Sequence, residues 1–308
     1  MKKSKLLVVI AGPTAIGKTK LTIDLAKRFS SEIISADSRQ VFRELEIGTA
    51  KPDASELAEA KHYFINTHSV HDPFSAGDFE REGLRLLATL FEHLDVVFMT
   101  GGSGMYIDAI CKGLDEMPAI PINIRDHLMH RLRDEGLSVL QEELRTKDPE
   151  YFEEVDIQNS QRVVRALEMI EGTGQKFSSF RTQKKEVDRP FSILKVGLEM
   201  EREKLNERID LRMDMMIEAG LFEEARTFHP LKHINALQTV GYREIFDFFD
   251  GIYDREEAVR LLKRNSRRYA KRQMTWFKRD SDYHWYHPQQ REEIVQLIEQ
   301  RVDAIREI

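Results

Sequence analysis

The chain has 308 residues, enough for about two domains of ordinary size. Apolar residues make up 41% of it and charged residues 32%, which is typical of a globular protein and unlike a disordered or membrane-embedded chain. The net charge is −6, so any surface for nucleic acid must be local. The single cysteine excludes an internal disulfide and a cysteine-rich zinc site.

The first eleven residues superficially resemble a secretory signal, with lysines before an apolar run at 6–11. The run is too short for a signal, and it leads straight into a glycine-containing loop that cleavage would destroy. No apolar stretch approaches the roughly 18 residues that a membrane span needs. We therefore expect a cytoplasmic protein with no membrane association, and a monomer.

Apolar periodicity predicts an alternation of strands and helices in the first hundred residues. The predicted elements are strands at 6–10, 32–36 and 96–99, and helices at 20–29 and near 79–93. Such alternation predicts an α/β fold, a parallel sheet flanked by helices. Ligands of such sheets collect at the carboxyl ends of the strands, where Asp37 and the glycine-rich residues 101–104 would lie.

The pattern changes after residue 114, where glycine and proline introduce a loop. Residues 124–173 are highly charged and helical in pattern, and a polar linker follows at 176–190. Strand character resumes at 191–198, and the chain is mostly helical from residue 201 onward. We therefore predict a mostly helical insertion domain at 115–190 within a core made of 1–114 and 191–308.

The most specific local motif is a phosphate-binding P-loop between the first strand and the first helix. Its residues are Gly12, Pro13, Thr14, Ala15, Ile16, Gly17, Lys18 and Thr19. Backbone N–H groups of such a loop point at an anion, Lys18 adds a positive charge, and Thr19 offers a hydroxyl to Mg²⁺. The motif predicts di- or triphosphate binding in a P-loop-containing core, but it does not say which phosphate ester is bound.

A kinase that uses ATP on a small molecule or nucleotide is the alternative that this loop alone suggests. Such enzymes carry an aspartate at the end of another apolar strand to hold Mg²⁺. The strand at 96–99 is followed by Thr100 and glycines, and Asp95 lies at its other end. The available carboxylate is Asp37, whose other interpretation is a helix cap or turn residue.

Five further segments, in order along the chain, carry a resemblance. They are residues 37–52, beginning Asp-Ser-Arg-Gln; 101–106, Gly-Gly-Ser-Gly-Met-Tyr; 162–168, Arg-Val-Val-Arg-Ala-Leu-Glu; 240–244, Val-Gly-Tyr-Arg-Glu; and 271–277, Lys-Arg-Gln-Met-Thr-Trp-Phe. Together with the phosphate loop, they resemble the tRNA dimethylallyltransferase, or tRNA isopentenyltransferase, family over nearly the whole chain. A C-terminal zinc finger is absent, so the resemblance is to the bacterial type.

The resemblance implies transfer of a dimethylallyl group from dimethylallyl diphosphate to N6 of the adenosine 3′ of the anticodon, position 37 of tRNA. It implies Mg²⁺ as cofactor and diphosphate, rather than ATP, in the phosphate loop. Asp37 matches the family's general base, Arg212 its diphosphate-contacting arginine, and Ser103 a hydroxyl near the diphosphate, although Ser103 could instead be a turn residue.

The resemblance also implies which residues approach the anticodon stem-loop of tRNA. These are Asp37, Ser38, Arg39, Gln40, Gln161, Arg162, Val163, Val164, Arg165, Gly241, Tyr242, Arg243, Lys271, Arg272, Gln273, Met274, Thr275, Trp276, Phe277 and Lys278. The insertion domain is thereby expected to contact tRNA.

Residues 260–280 form a basic segment that includes the last of these residues. It holds Arg260, Lys263, Arg264, Arg267, Arg268, Lys271, Arg272, Lys278 and Arg279, with Asp280 as its only acid. Cations on one helix face can follow a phosphate backbone, and interleaved aromatic rings can stack on bases. The segment could instead be a solvated helix face, and a third possibility for the whole chain is an RNA-binding protein without turnover.

Overall fold

The structure is a computed structural model that describes residues 4–115, 117–181 and 187–306. Lys2 and Lys3, and residues 182–186 of the predicted linker, lie outside the described residues. The chain divides into two compact units. One consists of Met1–Lys112 with Asp188–Ile308, called the core unit here, and the other of Gly113–Val187, called the helical unit.

The core unit contains a parallel sheet. Its strands are β1 (Leu6–Ala11), β2 (Ile33–Ser35), β3 (His62–Tyr63), β4 (Val96–Gly101), β5 (Ser192–Leu198) and β6 (Tyr283–Tyr286). Their spatial order is β3-β2-β4-β1-β5-β6, and every neighbouring pair is parallel. The predicted α/β fold with a parallel sheet is therefore confirmed.

Strand β1 lies at the centre of the sheet because its six residues are all apolar and can be buried on both faces. Its alternate side chains enter two different cores: Leu7 and Val9 on one face, Val8 and Ile10 on the other. The register aligns its last residue, Ala11, with the last residue of β4. The loops that follow both strands therefore leave the sheet at the same edge.

Helices cover both faces of the sheet and make up the helical unit. They are α1 (Lys18–Arg28), α2 (Ala54–Glu59), α3 (Ala76–Leu90), α4 (Gly104–Lys112), α5 (Ile122–Asp134), α6 (Leu137–Lys147), α7 (Pro149–Glu154), α8 (Ser160–Thr173), α9 (Arg202–Glu218), α10 (Leu221–Phe228), α11 (Arg243–Phe249), α12 (Arg255–Phe277) and α13 (Arg291–Arg306). Within the described residues, none of these helices has the length and apolarity to cross a membrane.

The helical unit has a core of its own. Leu128 of α5, Leu140 and Leu144 of α6, and Leu167 of α8 are fully buried together. At its base Asp148, also fully buried, accepts hydrogen bonds from the backbone N–H groups of Tyr151 and Ser178 and from the Ser178 hydroxyl. Burying this carboxylate is tolerable because its oxygens are satisfied by donors.

Candidate active site

The phosphate loop, residues 12–19, joins β1 to α1 as the motif predicts. Gly17 caps the helix in a left-handed conformation, φ 104°, which glycine adopts without strain. The loop therefore presents the N-terminal N–H groups of α1 to the pocket above the sheet edge, where an anion is favoured. Within the loop, Lys18 Nζ donates to the carbonyl oxygen of Pro13 at 2.7 Å.

The electrostatics of Lys18 favour an anionic ligand. Burial, reinforced by the nearby Arg212 guanidinium and opposed by the Asp37 carboxylate, lowers the pKa of Lys18 to about 7. A buried amine beside another cation gains the most from a bound anion, because the anion offsets both the desolvation and the repulsion. The loop is therefore electrostatically poised for a phosphate ester.

Side chains from later helices hold the phosphate loop in place. Gln273 of α12 accepts from the backbone N–H of Thr14 at 2.9 Å and donates to the carbonyl oxygen of Gly102 at 2.9 Å. Arg208 of α9 donates to the carbonyl oxygen of Ala15 at 2.8 Å. Gln273 thus ties the phosphate loop to the glycine loop after β4, and it does so from inside the protein.

The glycine loop at 101–104 needs its small residues because two α12 side chains press against it. A Cβ atom at Gly102 would collide with the amide of Gln273, and one at Gly104 would collide with the Trp276 indole. The Trp276 indole N–H donates to Asp108 at 2.9 Å, which fixes α12 against α4. This packing explains why the glycines and the Trp276 segment occur together in one sequence.

Asp37 lies two residues beyond the end of β2 and lines the same pocket as Lys18. One of its oxygens, Oδ1, accepts from the backbone N–H groups of Arg39 at 2.9 Å and Gln40 at 3.3 Å. These two bonds are typical of an aspartate that forms a turn, which was the alternative interpretation of Asp37. They leave Oδ2 for a second partner, because a carboxylate has two acceptor oxygens.

Ser103 connects the Asp37 turn to the glycine loop. Its hydroxyl oxygen accepts from the backbone N–H of Ser38 at 2.9 Å, and its own backbone N–H donates to the carbonyl oxygen of Ala36 at 3.2 Å. Because the hydroxyl oxygen accepts here, its O–H can still donate elsewhere. The structure shows the structural role of Ser103, and the catalytic role stays a prediction.

Further cations and one phenol line or approach the pocket. Arg212 of α9 reaches the Thr14 hydroxyl at 3.5 Å and the carbonyl oxygen of Ala50 at 3.2 Å. Burial lowers the pKa of Arg212 and of Arg39, and Asp37 opposes the shift in both. Burial, together with the charge of Asp37, raises the pKa of Tyr269 to about 12, so its hydroxyl is a donor at neutral pH.

The remaining lining is less polar. Met213 and Met216 of α9 and Val240 border the pocket that the phosphate loop and Asp37 also line. The pocket therefore combines a cationic region, one carboxylate and an apolar region. A phosphate ester with a short hydrocarbon group matches that combination, because each part meets a surface of its own kind.

Sequence reasoning missed the residue that holds the 46–51 segment beside the pocket. Glu224 of α10 accepts from the backbone N–H groups of Glu46 at 3.1 Å, Ile47 at 2.8 Å and Gly48 at 2.8 Å. It also accepts from the Tyr242 hydroxyl at 2.6 Å. Glu224 belongs to an ordinary amphipathic helix, and no sequence signal distinguishes it from its neighbour Glu223.

Several residues predicted to contact tRNA are buried. Tyr242 and Phe277 are 0% and 1% exposed, and Gln273, 6% exposed, faces the phosphate loop. Direct RNA contact by these three side chains is not supported, because packing and internal hydrogen bonds already occupy them. Their exposed neighbours are Arg243, Lys271, Arg272, Thr275 and Lys278.

In α8 of the helical unit, too, some residues predicted to contact tRNA are buried and others are exposed. Val163 and Val164 are fully buried in its core, so the expectation that they touch tRNA is not supported. Gln161 and Arg162 are exposed, and Arg165 pairs with the buried Glu168 at 3.2 Å. The two valines are core residues that fix which side of α8 its polar residues occupy.

Strand β4 ends without the aspartate that a kinase would carry there. After β4, the Thr100 hydroxyl donates back to the carbonyl oxygen of Ile10 at 3.2 Å. Asp95 lies at the opposite end of that strand and pairs with Lys5 at 3.0 Å and Arg306 at 3.3 Å. Among the residues described, no cluster of three or more histidine, cysteine or acidic side chains could hold a metal ion.

A parallel sheet with a phosphate loop after its central strand defines a P-loop protein. Residues 40–280 match the family model described as IPP transferase, so the chain belongs to that family. It is 50% identical over 299 residues to the tRNA dimethylallyltransferase of Cytophaga hutchinsonii, covering 97% of this chain and 98% of that one. This membership supports a prenyltransferase over the kinase alternative.

Several solved structures are similar, among them the two that follow. The full-length tRNA isopentenylpyrophosphate transferase of Bacillus halodurans matches with a TM-score of 0.73 and 35% identity, over 99% of each chain. A eukaryotic dimethylallyltransferase, described as acting on tRNA, matches with a TM-score of 0.71 and 25% identity, over 89% of this chain and 70% of the other. The family resemblance predicted from the motifs is therefore confirmed.

Proposed function

We propose that this protein transfers the dimethylallyl group of dimethylallyl diphosphate to N6 of the adenosine at position 37 of tRNA, in the cytoplasm, and releases diphosphate. One observation carries the proposal: a phosphate loop with a lysine and an arginine shares a pocket with a single carboxylate, Asp37, that follows a different strand. Family membership and the tRNA-directed relatives support the same conclusion.

The cationic region of the pocket suits the leaving group. Breaking the allylic C–O bond builds negative charge on the diphosphate and positive charge on the prenyl carbon. Lys18, Arg212 and the N–H groups at the start of α1 stabilise that departing anion. Removal of one such preorganised donor typically costs about 3–4 kcal/mol in the transition state.

Asp37 suits the acceptor. The lone pair of adenine N6 is delocalised into the ring, so the amine attacks better when a carboxylate holds it and takes its proton. Asp37 Oδ1 is engaged by the N–H groups of Arg39 and Gln40, which orients the carboxylate and leaves Oδ2 for the amine. A general base of this kind typically contributes about 10²–10⁴-fold.

The oxygen donors present fit Mg²⁺. Thr19 lines the pocket and carries a hydroxyl, and Mg²⁺ in such sites is held by few protein ligands together with substrate phosphates and water. Bound there with the diphosphate, the ion would neutralise part of the leaving group's charge. Thr14, which lines the pocket, offers a further hydroxyl to diphosphate oxygens, and we propose the same role for Ser103, which follows the lining residue Gly102.

The acceptor adenosine must leave the anticodon-loop stack to reach Asp37, so base extrusion is part of the proposal. Arg39, Gln40 and Gly241 line the pocket, and with Ser38 and the exposed Arg243 they would approach the RNA around that base. Gln161, Arg162 and Arg165 of the helical unit are proposed as further contacts.

The test is to incubate the protein with labelled dimethylallyl diphosphate, Mg²⁺ and unmodified tRNA. Transfer of label to adenosine 37, located by nuclease digestion, is expected. The matched control is the same tRNA with guanosine at position 37, which should take no label. Consumption of ATP with a small acceptor, without label in tRNA, would overturn the proposal, as would RNA binding without transfer.

A further inference from the structure

The basic helix α12 has two different cationic faces. The paired face consists of Arg260, Lys263 and Arg267, whose charges are met by carboxylates: Arg260 binds Glu257 at 2.6 Å, Lys263 binds Asp214 at 2.6 Å, and Arg267 binds Asp210. Asp210 and Asp214 come from α9, which packs beside α12. The paired face is therefore close to electrically neutral.

The free face consists of Arg264, Arg268, Lys271 and Arg272. Among the described residues, no carboxylate oxygen lies within 4.0 Å of their charged nitrogens. Arg264 donates only to the neutral amide of Asn265, at 3.2 Å, and the other three side chains are exposed. At roughly 100° per residue, the mean directions of the two faces differ by about 90° around the helix axis.

The free face is continuous with the active-site pocket. The Arg272 guanidinium lies over the Tyr269 ring at 5.7 Å, and Tyr269 lines the pocket beside Asp37. A row of cations thus extends from the pocket along about two turns of α12. In a protein of net charge −6, four adjacent cations without an ion-pair partner among the described residues attract a polyanion, although Glu257 acts on Arg264 from a longer distance.

We propose that the phosphodiester backbone of the RNA substrate lies along the free face, with Arg264 and Arg268 as its outermost contacts, and that the paired face takes no part in RNA binding. This inference rests on the proposed function for the identity of the polyanion. It extends the RNA surface two turns beyond residues 271–278 and excludes the cations on the α9 side of the same helix.

Two double variants with equal charge loss test it. Arg264→Gln/Arg268→Gln removes two cations from the free face, and Lys263→Gln/Arg267→Gln removes two from the adjacent paired face. Binding of an unmodified tRNA anticodon stem-loop is measured at several salt concentrations. The free-face variant should bind on the order of 10-fold more weakly, and its slope of log K against log salt should fall by about 1.4–1.8. The paired-face variant should change affinity less than about twofold.

Equal weakening by both variants, or greater weakening by the paired-face variant, would overturn the inference. Binding of inorganic diphosphate and the thermal unfolding midpoint report whether each variant is folded. Should the free-face variant unfold, Arg264→Lys/Arg268→Lys replaces it and should retain the salt slope, because the charges are kept. Failure of the wild type to prenylate tRNA would defeat the proposed function, whereas the comparison of the two variants decides the surface separately.

Discussion

The phosphate loop and the 46–51 segment line the same pocket but are held in place in different ways. The phosphate loop follows β1 and begins α1, so a local motif specifies its course, which Gln273 and Arg208 of later helices then secure. The 46–51 segment depends on one distant carboxylate, Glu224, which accepts three of its N–H groups. The first region can be recognised from the sequence, and the second only from the structure. We expect the residues that motifs identify to carry the chemistry and the 46–51 segment to shape the pocket. Substitutions should therefore reduce activity more in the first group than in the second.

The largest effect is expected at Asp37. Replacement by alanine removes the base and should lower kcat by about 10²–10⁴-fold while donor binding is largely retained. Asp37→Asn is the matched control, since its amide oxygen still accepts from the N–H groups of Arg39 and Gln40. Both variants should be equally impaired in single-turnover transfer. Near-normal turnover in Asp37→Asn would reduce Asp37 to a turn residue.

A smaller loss is expected for Lys18→Met, about 10- to 100-fold in diphosphate affinity, as for a charged hydrogen bond worth about 1.5–3 kcal/mol. The pKa of Lys18 is about 7 in the free protein, and a bound anion raises it. Below pH 7 the amine is already protonated, so binding takes up no proton there. Above pH 7 binding takes up a proton, so affinity falls as pH rises.

Calorimetry of diphosphate binding in buffers of different ionisation enthalpy measures that proton directly. The difference between wild type and Lys18→Met cancels the ionisation of diphosphate itself. Up to one proton per ligand should appear at pH 8 in the wild type and be missing in the variant. Equal proton uptake by both proteins would show that Lys18 is not the group that titrates.

A moderate effect is expected on the other side of the pocket. Glu224→Gln removes the charge that binds the N–H groups of residues 46–48 and should raise KM for the prenyl donor several-fold with little change in kcat. Amide hydrogen exchange should accelerate at 46–51. Glu223→Gln, one position earlier on the exposed side of α10, should leave both unchanged. A fall in kcat for Glu224→Gln as large as that for Asp37→Ala would contradict the view that the 46–51 segment shapes the pocket without carrying the chemistry.

The smallest effect is expected for Tyr242→Phe. It removes one of the four donors to Glu224 and should lower the free energy of unfolding by about 1 kcal/mol, as for a typical single hydrogen bond. Chemical denaturation measures this value, and prenyl transfer should stay within about twofold of wild type. A loss of transfer without a loss of stability would give Tyr242 a direct part in the reaction.

The sequence predicted the central strands and the phosphate loop because their signals are local. A continuous apolar run identifies β1, and the glycine and lysine spacing identifies the loop after it. Strands β3 and β6 were missed, because two residues, or a Tyr-His-Trp-Tyr run, carry no usable periodicity. These edge strands are defined by the neighbours with which they pair.

The candidate site was predictable where a motif names its residues, and not where a side chain arrives from elsewhere in the chain. Gln273 was expected to meet RNA, but it joins two glycine loops instead. The sequence revealed the basic segment by its many lysines and arginines. Its division into a paired face and a free face depends on Asp210 and Asp214 of another helix. Long-range pairing of this kind has no local pattern from which it could be inferred.

The bond between Thr14 and Gln273 has a consequence for biosynthesis. The two residues are 259 positions apart, so the ribosome makes the phosphate loop near the start of translation and the Gln273 side chain that binds it near the end. A nascent chain therefore cannot form this hydrogen bond until α12 has left the exit tunnel of the ribosome. Products of premature termination before this helix should consequently bind the prenyl donor more weakly than the full chain does.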